Sequence, residues 1–170
     1  ANPRNQQTEA INLSLDAFKE GKKYVILEAG TGVGKSAVGY TIAKYMSFNF
    51  NPQESYKKGS YFLTTQKILQ EQYMHDFSCK GMKSIKSSTN YSCNYYKNNT
   101  CAESMRALKT AQKGSDFWNA CSRPTNCIYK SKKRNFLEST EGVTNFPYFL
   151  AETSYSGKLT PRHILITDEA

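Results

Sequence analysis

Short apolar runs alternate with stretches of helical spacing along most of the chain. Continuous apolar runs, typical of buried parallel strands, lie at 24–27, 60–64 and 163–167, and a shorter one at 143–144 is typical of a strand end. The intervening stretches predict helices over 8–19, 35–48, 66–77 and 145–152. Strands that alternate with helices indicate an α/β fold with a parallel sheet.

One stretch in the middle of the chain breaks this alternation. Residues 79–133 are crowded with Lys, Asn, Ser and Tyr, have few aliphatic side chains and hold all five cysteines. Such a stretch lacks the apolar content to build a core alone, so another source of folding energy is needed. We therefore predict one main domain in two parts, 1–78 and 136–170, interrupted by a mostly helical or irregular insertion over 79–135.

A glycine-rich turn joins the first predicted strand to the helix after it. The turn consists of Ala29, Gly30, Thr31, Gly32, Val33, Gly34, Lys35 and Ser36. Glycines let the backbone curl so that successive N–H groups point at a phosphate, and the helix N-terminus adds a favourable dipole. In such a P-loop, Lys35 reaches the β- and γ-phosphates of ATP and Ser36 binds Mg²⁺. Ala29 replaces the usual first glycine, and a merely flexible turn is the alternative interpretation.

The last apolar run ends in two carboxylates, Asp168 and Glu169. In this Walker B arrangement, Asp168 holds the Mg²⁺ shell, while Glu169 orients and deprotonates the attacking water. Solvated strand ends also carry such residues without any function. Together with the P-loop, however, the pair predicts a RecA-like NTPase with helices on both faces of its sheet, in which Lys35, Asp168 and Glu169 are catalytic.

The charge balance favours a polyanionic partner. The chain carries 23 Lys and Arg against 14 Asp and Glu, a net charge of +9, although such an excess also serves solubility alone. No run approaches the roughly 18 apolar residues of a membrane span, and the polar N-terminus does not resemble a signal peptide. We expect a protein that is neither secreted nor membrane-bound and that lies in the cytoplasm, the nucleoid or the nucleus.

The cysteines are candidate ligands for a metal centre. In a reducing compartment, thiols serve as metal or cluster ligands, or stay free, more often than they form disulfides. Cys93, Cys101, Cys121 and Cys127 are spaced too irregularly for a zinc ribbon. An iron–sulfur cluster, zinc and free thiols all remain open on spacing alone. Cys79 lies outside this set and is interpreted as a plain thiol.

Basic and aromatic residues are interleaved around these cysteines. Positive charge follows a phosphate backbone and aromatic faces stack on bases, which suits single strands without sequence preference. A solvated basic surface, with the aromatic residues packing the insertion, is the alternative. The basic residues taken as DNA contacts are Lys130, Lys132, Lys133 and Arg134.

Around the nucleotide motifs, the sequence resembles the XPD/DinG group of superfamily 2 helicases, which carry an iron–sulfur domain. The segment Arg4–Gln7 looks like the R-x-x-Q element of that group, where Gln7 would read the adenine edge. Residues 28–36 are similar to motif I, including alanine in place of the first glycine. Residues 168–170 match the first three letters of the Asp-Glu-Ala-His box.

The resemblance extends through the DNA and cysteine elements. Thr64, Thr65 and Gln66 look like motif Ia, which contacts the backbone of single-stranded DNA. The segment 90–93 resembles the one that carries the first cluster cysteine, and Cys121 and 127–129 resemble the last two ligand positions, which leaves Cys101 as the second. Residues 144–146 are similar to the Asn-His element, although Phe146 replaces the histidine.

This resemblance implies an ATP-dependent DNA helicase that unwinds with 5′→3′ polarity. ATP, Mg²⁺ and a [4Fe–4S] cluster at Cys93, Cys101, Cys121 and Cys127 are the implied cofactors, and single-stranded and forked duplex DNA the implied partners, for a chain expected to be monomeric. We expect the chain to be an N-terminal fragment with one motor domain, poorly active alone, in which the cluster can be lost. The alternatives are a zinc or cluster module with a vestigial P-loop and a P-loop ATPase unrelated to unwinding.

Overall fold

The computed structural model describes residues 3–30, 32–51, 55–96, 98–123, 125, 127–157 and 159–168. The helices and strands of this part of the chain are α1 (Asn5–Lys19), α2 (Lys35–Phe48), β1 (Lys57–Thr64), α3 (Lys67–Phe77), β2 (Lys83–Ser84), α4 (Cys101–Leu108), α5 (Asp116–Ser122), α6 (Ile128–Glu138), β3 (Glu141–Asn145), α7 (Phe146–Ser154) and β4 (Arg162–Asp168).

The strands form one parallel sheet in the order β2–β3–β1–β4. Successive side chains of a strand point to opposite faces, and β1 shows this with Tyr61 and Phe62. Phe62 packs in a core with residues of α1, α2 and α3. Tyr61 packs on the other face with residues of α6 and α7. The predicted α/β fold with helices on both faces is therefore confirmed.

Most predicted elements lie where the apolar pattern placed them. The helices expected at 35–48 and 66–77 correspond to α2 and α3, and the strands expected at 60–64 and 163–167 correspond to β1 and β4. The first helix starts earlier than predicted, and the side chain of Gln7 caps its N-terminus by accepting a hydrogen bond from the backbone N–H of Arg4 at 3.0 Å.

The strand predicted at 24–27 is wrong. This segment has no strand pairing, and Tyr24 and Ile26 are 87% and 94% exposed. A cleft of about 920 Å³ has this segment on its lining together with Ile164, Leu165 and Ile166 of β4. An apolar run becomes a strand only when its N–H and C=O groups join a ladder, and here the segment makes none with β4.

The cysteine-containing stretch shares its core with the rest of the molecule. Residues 83–84 form β2 and pair with β3, and the neighbouring Met82 and Ile85 are fully buried. Further along, Tyr129 and Phe136 of α6 pack in the same cluster as Tyr61. The segment proposed as an insertion, 79–135, is thus anchored to the main sheet at both of its ends.

Among the described residues, the structure contains no helix with the length and apolar character needed to cross a bilayer.

Candidate nucleotide site and cysteine cluster

Three strands of the sheet end side by side. Thr64, the last residue of β1, is the register partner of both Asn145 at the end of β3 and Asp168 at the end of β4. Ligands of open α/β sheets bind at the carboxyl ends of the strands. The structure therefore brings three elements that are distant in sequence to the edge where a nucleotide site is expected.

The P-loop wraps the N-terminus of α2 at this edge. Gly32 and Gly34 have φ angles of 76° and 84°, and Gly34 is the N-cap residue of the helix. Only glycine adopts such left-handed angles without strain, so the two residues give the loop its curl. The first amides of α2 are consequently turned toward the loop, as an anion site at a helix N-terminus requires. Thr31 lies outside the described residues.

The two halves of the predicted site meet at one carboxylate. The Ser36 hydroxyl donates a 3.4 Å hydrogen bond to Oδ2 of Asp168. Lys35 is exposed, and its ammonium donates a 3.3 Å hydrogen bond to the carbonyl of Ala29 in the loop. In this arrangement the Lys35 ammonium can bind a phosphate. The side-chain oxygens of Ser36 and Asp168 can bind a hard cation such as Mg²⁺. Glu169 lies outside the described residues.

A further side chain reaches the same carboxylate. The Tyr73 hydroxyl, from α3, donates a 2.8 Å hydrogen bond to Oδ2 of Asp168. Burial first, and then the charge and hydrogen bond of Asp168, raise the pKa of Tyr73 well above its ordinary value. The phenol therefore keeps its proton and acts as the donor. The sequence pattern placed Tyr73 within the helix predicted at 66–77 and assigned it no role in the site.

The element before the P-loop is hydrogen-bonded to the loop itself. Arg4 Nη1 donates to the carbonyl of Gly32 at 2.9 Å, and Gln7 Nε2 donates to the carbonyl of Val33 at 2.8 Å. The other end of the Gln7 amide accepts from the backbone N–H of Arg4 at 3.0 Å. Both ends of the Gln7 amide are thus engaged, so its expected contact with adenine remains a proposal that requires these bonds to rearrange.

The four cysteines predicted to act together line one small cavity. Cys93, Cys101, Cys121 and Cys127 are all in the lining of a cavity of about 20 Å³, whereas Cys79 is exposed elsewhere. The sulfurs of Cys101 and Cys127 are 3.4 Å apart. Within the described part of the chain, no three His, Cys, Asp or Glu side chains stand in position to hold a metal ion. The thiols are gathered but not arranged as a coordination shell.

The thiols influence one another's protonation. Burial, followed by the hydrogen bond and charge of Cys127, raises the pKa of Cys101 to about 12. Burial also raises the pKa of Cys121, with the charge of Cys93 as the next cause. For Cys93, burial opposes the shift, but the nearby Ser104 hydroxyl and the hydrogen bond from the backbone N–H of Tyr96 lower the pKa. Cys93 is therefore converted to a thiolate, the form that binds metals, more readily than Cys101 or Cys121.

The residues predicted to contact DNA differ in how free their side chains are. Thr64 is fully buried, and its hydroxyl donates to the carbonyl of Gln66, whereas Thr65 and Gln66 are exposed. Lys130 donates to the carbonyls of Cys121 and Ser122, and Lys133 pairs with Glu152 at 2.7 Å. Lys132 and Arg134 are exposed. Of the four basic residues, these two have the charges most accessible to a partner.

Comparison with known proteins gives one family. The family model described as "Type III restriction enzyme, res subunit" matches residues 1–170, the whole chain, so the chain belongs to this family. The family is one of helicase-like ATPases of superfamily 2 with a P-loop fold, which the parallel sheet and the glycine-rich turn bear out. No curated protein and no solved structure matches the chain. The match does not single out the iron–sulfur helicases.

Proposed function

We propose that this member of the res subunit family is a motor domain of an ATP-dependent DNA helicase. The observation that carries the proposal is the hydrogen bond between Ser36 and Asp168, which lie 132 positions apart in the sequence. That contact brings the P-loop and the Walker B strand to one point beside an exposed lysine. A vestigial P-loop has no need to keep the two halves of a nucleotide site together.

Each residue of the proposed site has a separate role in ATP hydrolysis, the transfer of the γ-phosphoryl group to water. Lys35 swings from the Ala29 carbonyl to the β- and γ-phosphates and balances their charge. Ser36 and Asp168 would hold Mg²⁺, which would neutralise charge on the phosphates. Glu169 accepts a proton from the attacking water, whose oxygen forms a bond to the γ-phosphorus as the bond to the leaving oxygen of ADP breaks. The glycine-rich turn keeps the backbone amides close to the β-phosphate.

We propose that the motor moves along single-stranded DNA and unwinds forked duplex DNA. The active species is proposed to be a monomer. Thr65 and Gln66 are exposed where β1 ends, next to Asp168 in the register of the sheet, so a bound backbone there would lie close to the ATP site. The 5′→3′ polarity rests on the resemblance to the XPD/DinG group. We also propose an intracellular location, in the compartment that contains the DNA.

We further propose that Cys93, Cys101, Cys121 and Cys127 hold an iron–sulfur cluster. Their chemistry fits, because the cavity they line receives four thiols and no carboxylate. Its present volume of about 20 Å³ is close to that of one water molecule, so the thiol-bearing segments have to move apart to bind a cluster. A single tetrahedral zinc ion, whose thiolates stand about 3.8 Å from each other, needs less movement and is the competing occupant.

Single-stranded DNA binding tests the nucleic-acid part of the proposal. Fluorescence anisotropy with a labelled oligothymidine at several salt concentrations is expected to show affinity that falls steeply with salt. Changing both Lys132 and Arg134 to Glu should weaken binding about tenfold or more at low salt. The matched control changes Lys22 and Lys23 to Glu, which alters the net charge equally at another exposed site. Equal losses in the two variants would leave only a general charge effect and count against a DNA surface on α6.

The metal content tests the cluster. Protein purified without oxygen is expected to be brown, to contain iron and sulfide, and to absorb in the visible range. Cys121→Ser should lose the colour, whereas Cys79→Ser, which alters an exposed thiol outside the cavity, should retain it. Colourless protein that contains one zinc, or that takes up no iron when iron and sulfide are supplied without oxygen, would contradict the cluster assignment.

A further inference from the structure

The hydroxyl of Tyr73 occupies a site where a phenylalanine would satisfy the packing. Its ring lies 5.4 Å from that of Phe62 and 5.8 Å from that of Phe77, and the residue is 2% exposed. A hydroxyl in such a place destabilises the fold unless it is bonded. Its bond goes to Oδ2 of Asp168 at 2.8 Å, the carboxylate that is proposed to bind Mg²⁺.

The helix that carries Tyr73 is itself firmly fixed. Gln70 lies one turn earlier on the same buried face of α3 and is fully buried. Its amide nitrogen donates to Ser84 Oγ at 2.7 Å and to the carbonyl of Ile85 at 2.8 Å. The hydrogen bonds of Gln70 therefore fix α3 against β2, and the hydroxyl of Tyr73 contacts Asp168 at the end of β4.

The arrangement of oxygens explains what the phenol does for Asp168. Tyr73 and Ser36 both donate to Oδ2, which fixes the carboxylate; among the described residues no donor reaches Oδ1, so that oxygen is available to a cation. Partners of metal-binding carboxylates act in this way, because they set the orientation of the ligand before the metal arrives. If Ser36 bound Mg²⁺ instead, Tyr73 would remain as a partner of Oδ2.

We infer that Tyr73 is a positioning residue that orients Asp168 for Mg²⁺ and links α3 to the ATP site. This inference rests on the proposed nucleotide site. It goes beyond that proposal because it makes the affinity for Mg²⁺ depend on Tyr73, a residue of α3. That helix directly follows the exposed Thr65–Gln66 turn. A shift of α3 would therefore change the orientation of Asp168 through this hydrogen bond.

The test compares Tyr73→Phe with the wild-type chain by titrating Mg²⁺ at a fixed concentration of a fluorescent ATP analogue. Loss of a hydrogen bond to a charged group is expected to raise the half-saturating Mg²⁺ concentration about tenfold. Binding of the nucleotide in the presence of a chelator should stay unchanged, because the phenol acts only through Asp168. Tyr40→Phe is the matched control, since Tyr40 is a buried tyrosine of the same core that stacks on Phe77.

A double-mutant cycle separates positioning from packing. In an Asp168→Asn background, Tyr73→Phe should have no further effect on the Mg²⁺ titration, whereas a packing effect would persist there. A wild-type Mg²⁺ titration for Tyr73→Phe, or an equal shift in both backgrounds, overturns the inference even if the variant also melts earlier. Failure of the proposed nucleotide site would be seen in a different experiment, as unchanged nucleotide binding by Lys35→Ala.

Discussion

Replacing Lys35 by alanine is expected to weaken the binding of MgATP about 10- to 100-fold. A hydrogen bond from an ammonium to a phosphate contributes about 1.5–3 kcal/mol, and this side chain would make such bonds to the β- and γ-phosphates. Isothermal titration calorimetry with a slowly hydrolysed ATP analogue measures the change. ATP hydrolysis by an intact helicase carrying this substitution should fall further, because charge builds up on the same phosphates in the transition state.

The surroundings of Lys35 make this substitution a clean probe. The side chain is exposed, and its contact in the structure is a 3.3 Å hydrogen bond to the carbonyl of Ala29, so its loss should leave the fold intact. Lys22→Ala removes another exposed ammonium, from the loop after α1, and should bind nucleotide as the wild type does. Single-stranded DNA affinity should remain nearly unchanged in Lys35→Ala. Nucleotide binding that survives the substitution would favour a module with a vestigial P-loop.

Local sequence predicted the parts of the site that depend on neighbours in the chain. The P-loop was predictable because its glycines, lysine and serine lie at fixed spacing within one glycine-rich turn that leads into α2. The pairing of Ser36 with Asp168 was predictable for a different reason. Two motifs of one known mechanism imply each other's position, and the 3.4 Å hydrogen bond between their side chains agrees with that expectation.

Features set by tertiary contacts were not predictable in the same way. The run 24–27 has the composition of a buried strand, but composition does not reveal whether an edge is available for pairing, and Ile26 is 94% exposed. Tyr73 and Phe77 occupy equivalent positions on α3 by periodicity, and only the structure distinguishes the bonded hydroxyl. Likewise, the sequence does not distinguish Lys130 and Lys133 from Lys132. In the structure Lys130 donates to backbone carbonyls and Lys133 forms an ion pair with Glu152.

Arg162 is the clearest residue that sequence reasoning missed. It begins β4 and is 7% exposed, and its guanidinium donates to the carbonyls of Ser60 at 2.8 Å, Thr140 at 3.0 Å and Phe136 at 2.9 Å. The guanidinium also lies 4.1 Å from the ring centroid of Tyr61. Burial lowers the pKa of Arg162 from its ordinary value. One side chain therefore joins β1, β4 and the end of α6, the helix that leads back from the cysteines.

Replacing Arg162 by alanine is expected to lower the free energy of unfolding by about 4 kcal/mol. The substitution removes three charge-assisted hydrogen bonds and the packing of the side chain on Tyr61, and it leaves a cavity in the buried layer beneath the sheet. Urea unfolding followed by circular dichroism measures the loss. Arg162→Lys retains a charge but not the planar fork, so it should fall between alanine and the wild type.

The same variant shows whether the sheet transmits this damage to the ATP site. Arg162 lies six residues before Asp168 on β4, about 20 Å away along the strand, so the two ends are separated by the whole length of the sheet. At low temperature, where the variant is still folded, MgATP should bind with nearly wild-type affinity. A loss of stability under about 1 kcal/mol would mean that backbone rearrangement satisfies the three carbonyls without Arg162. A large loss of nucleotide affinity in the folded variant would mean that the anchor at one end of β4 also sets the position of Asp168 at the other.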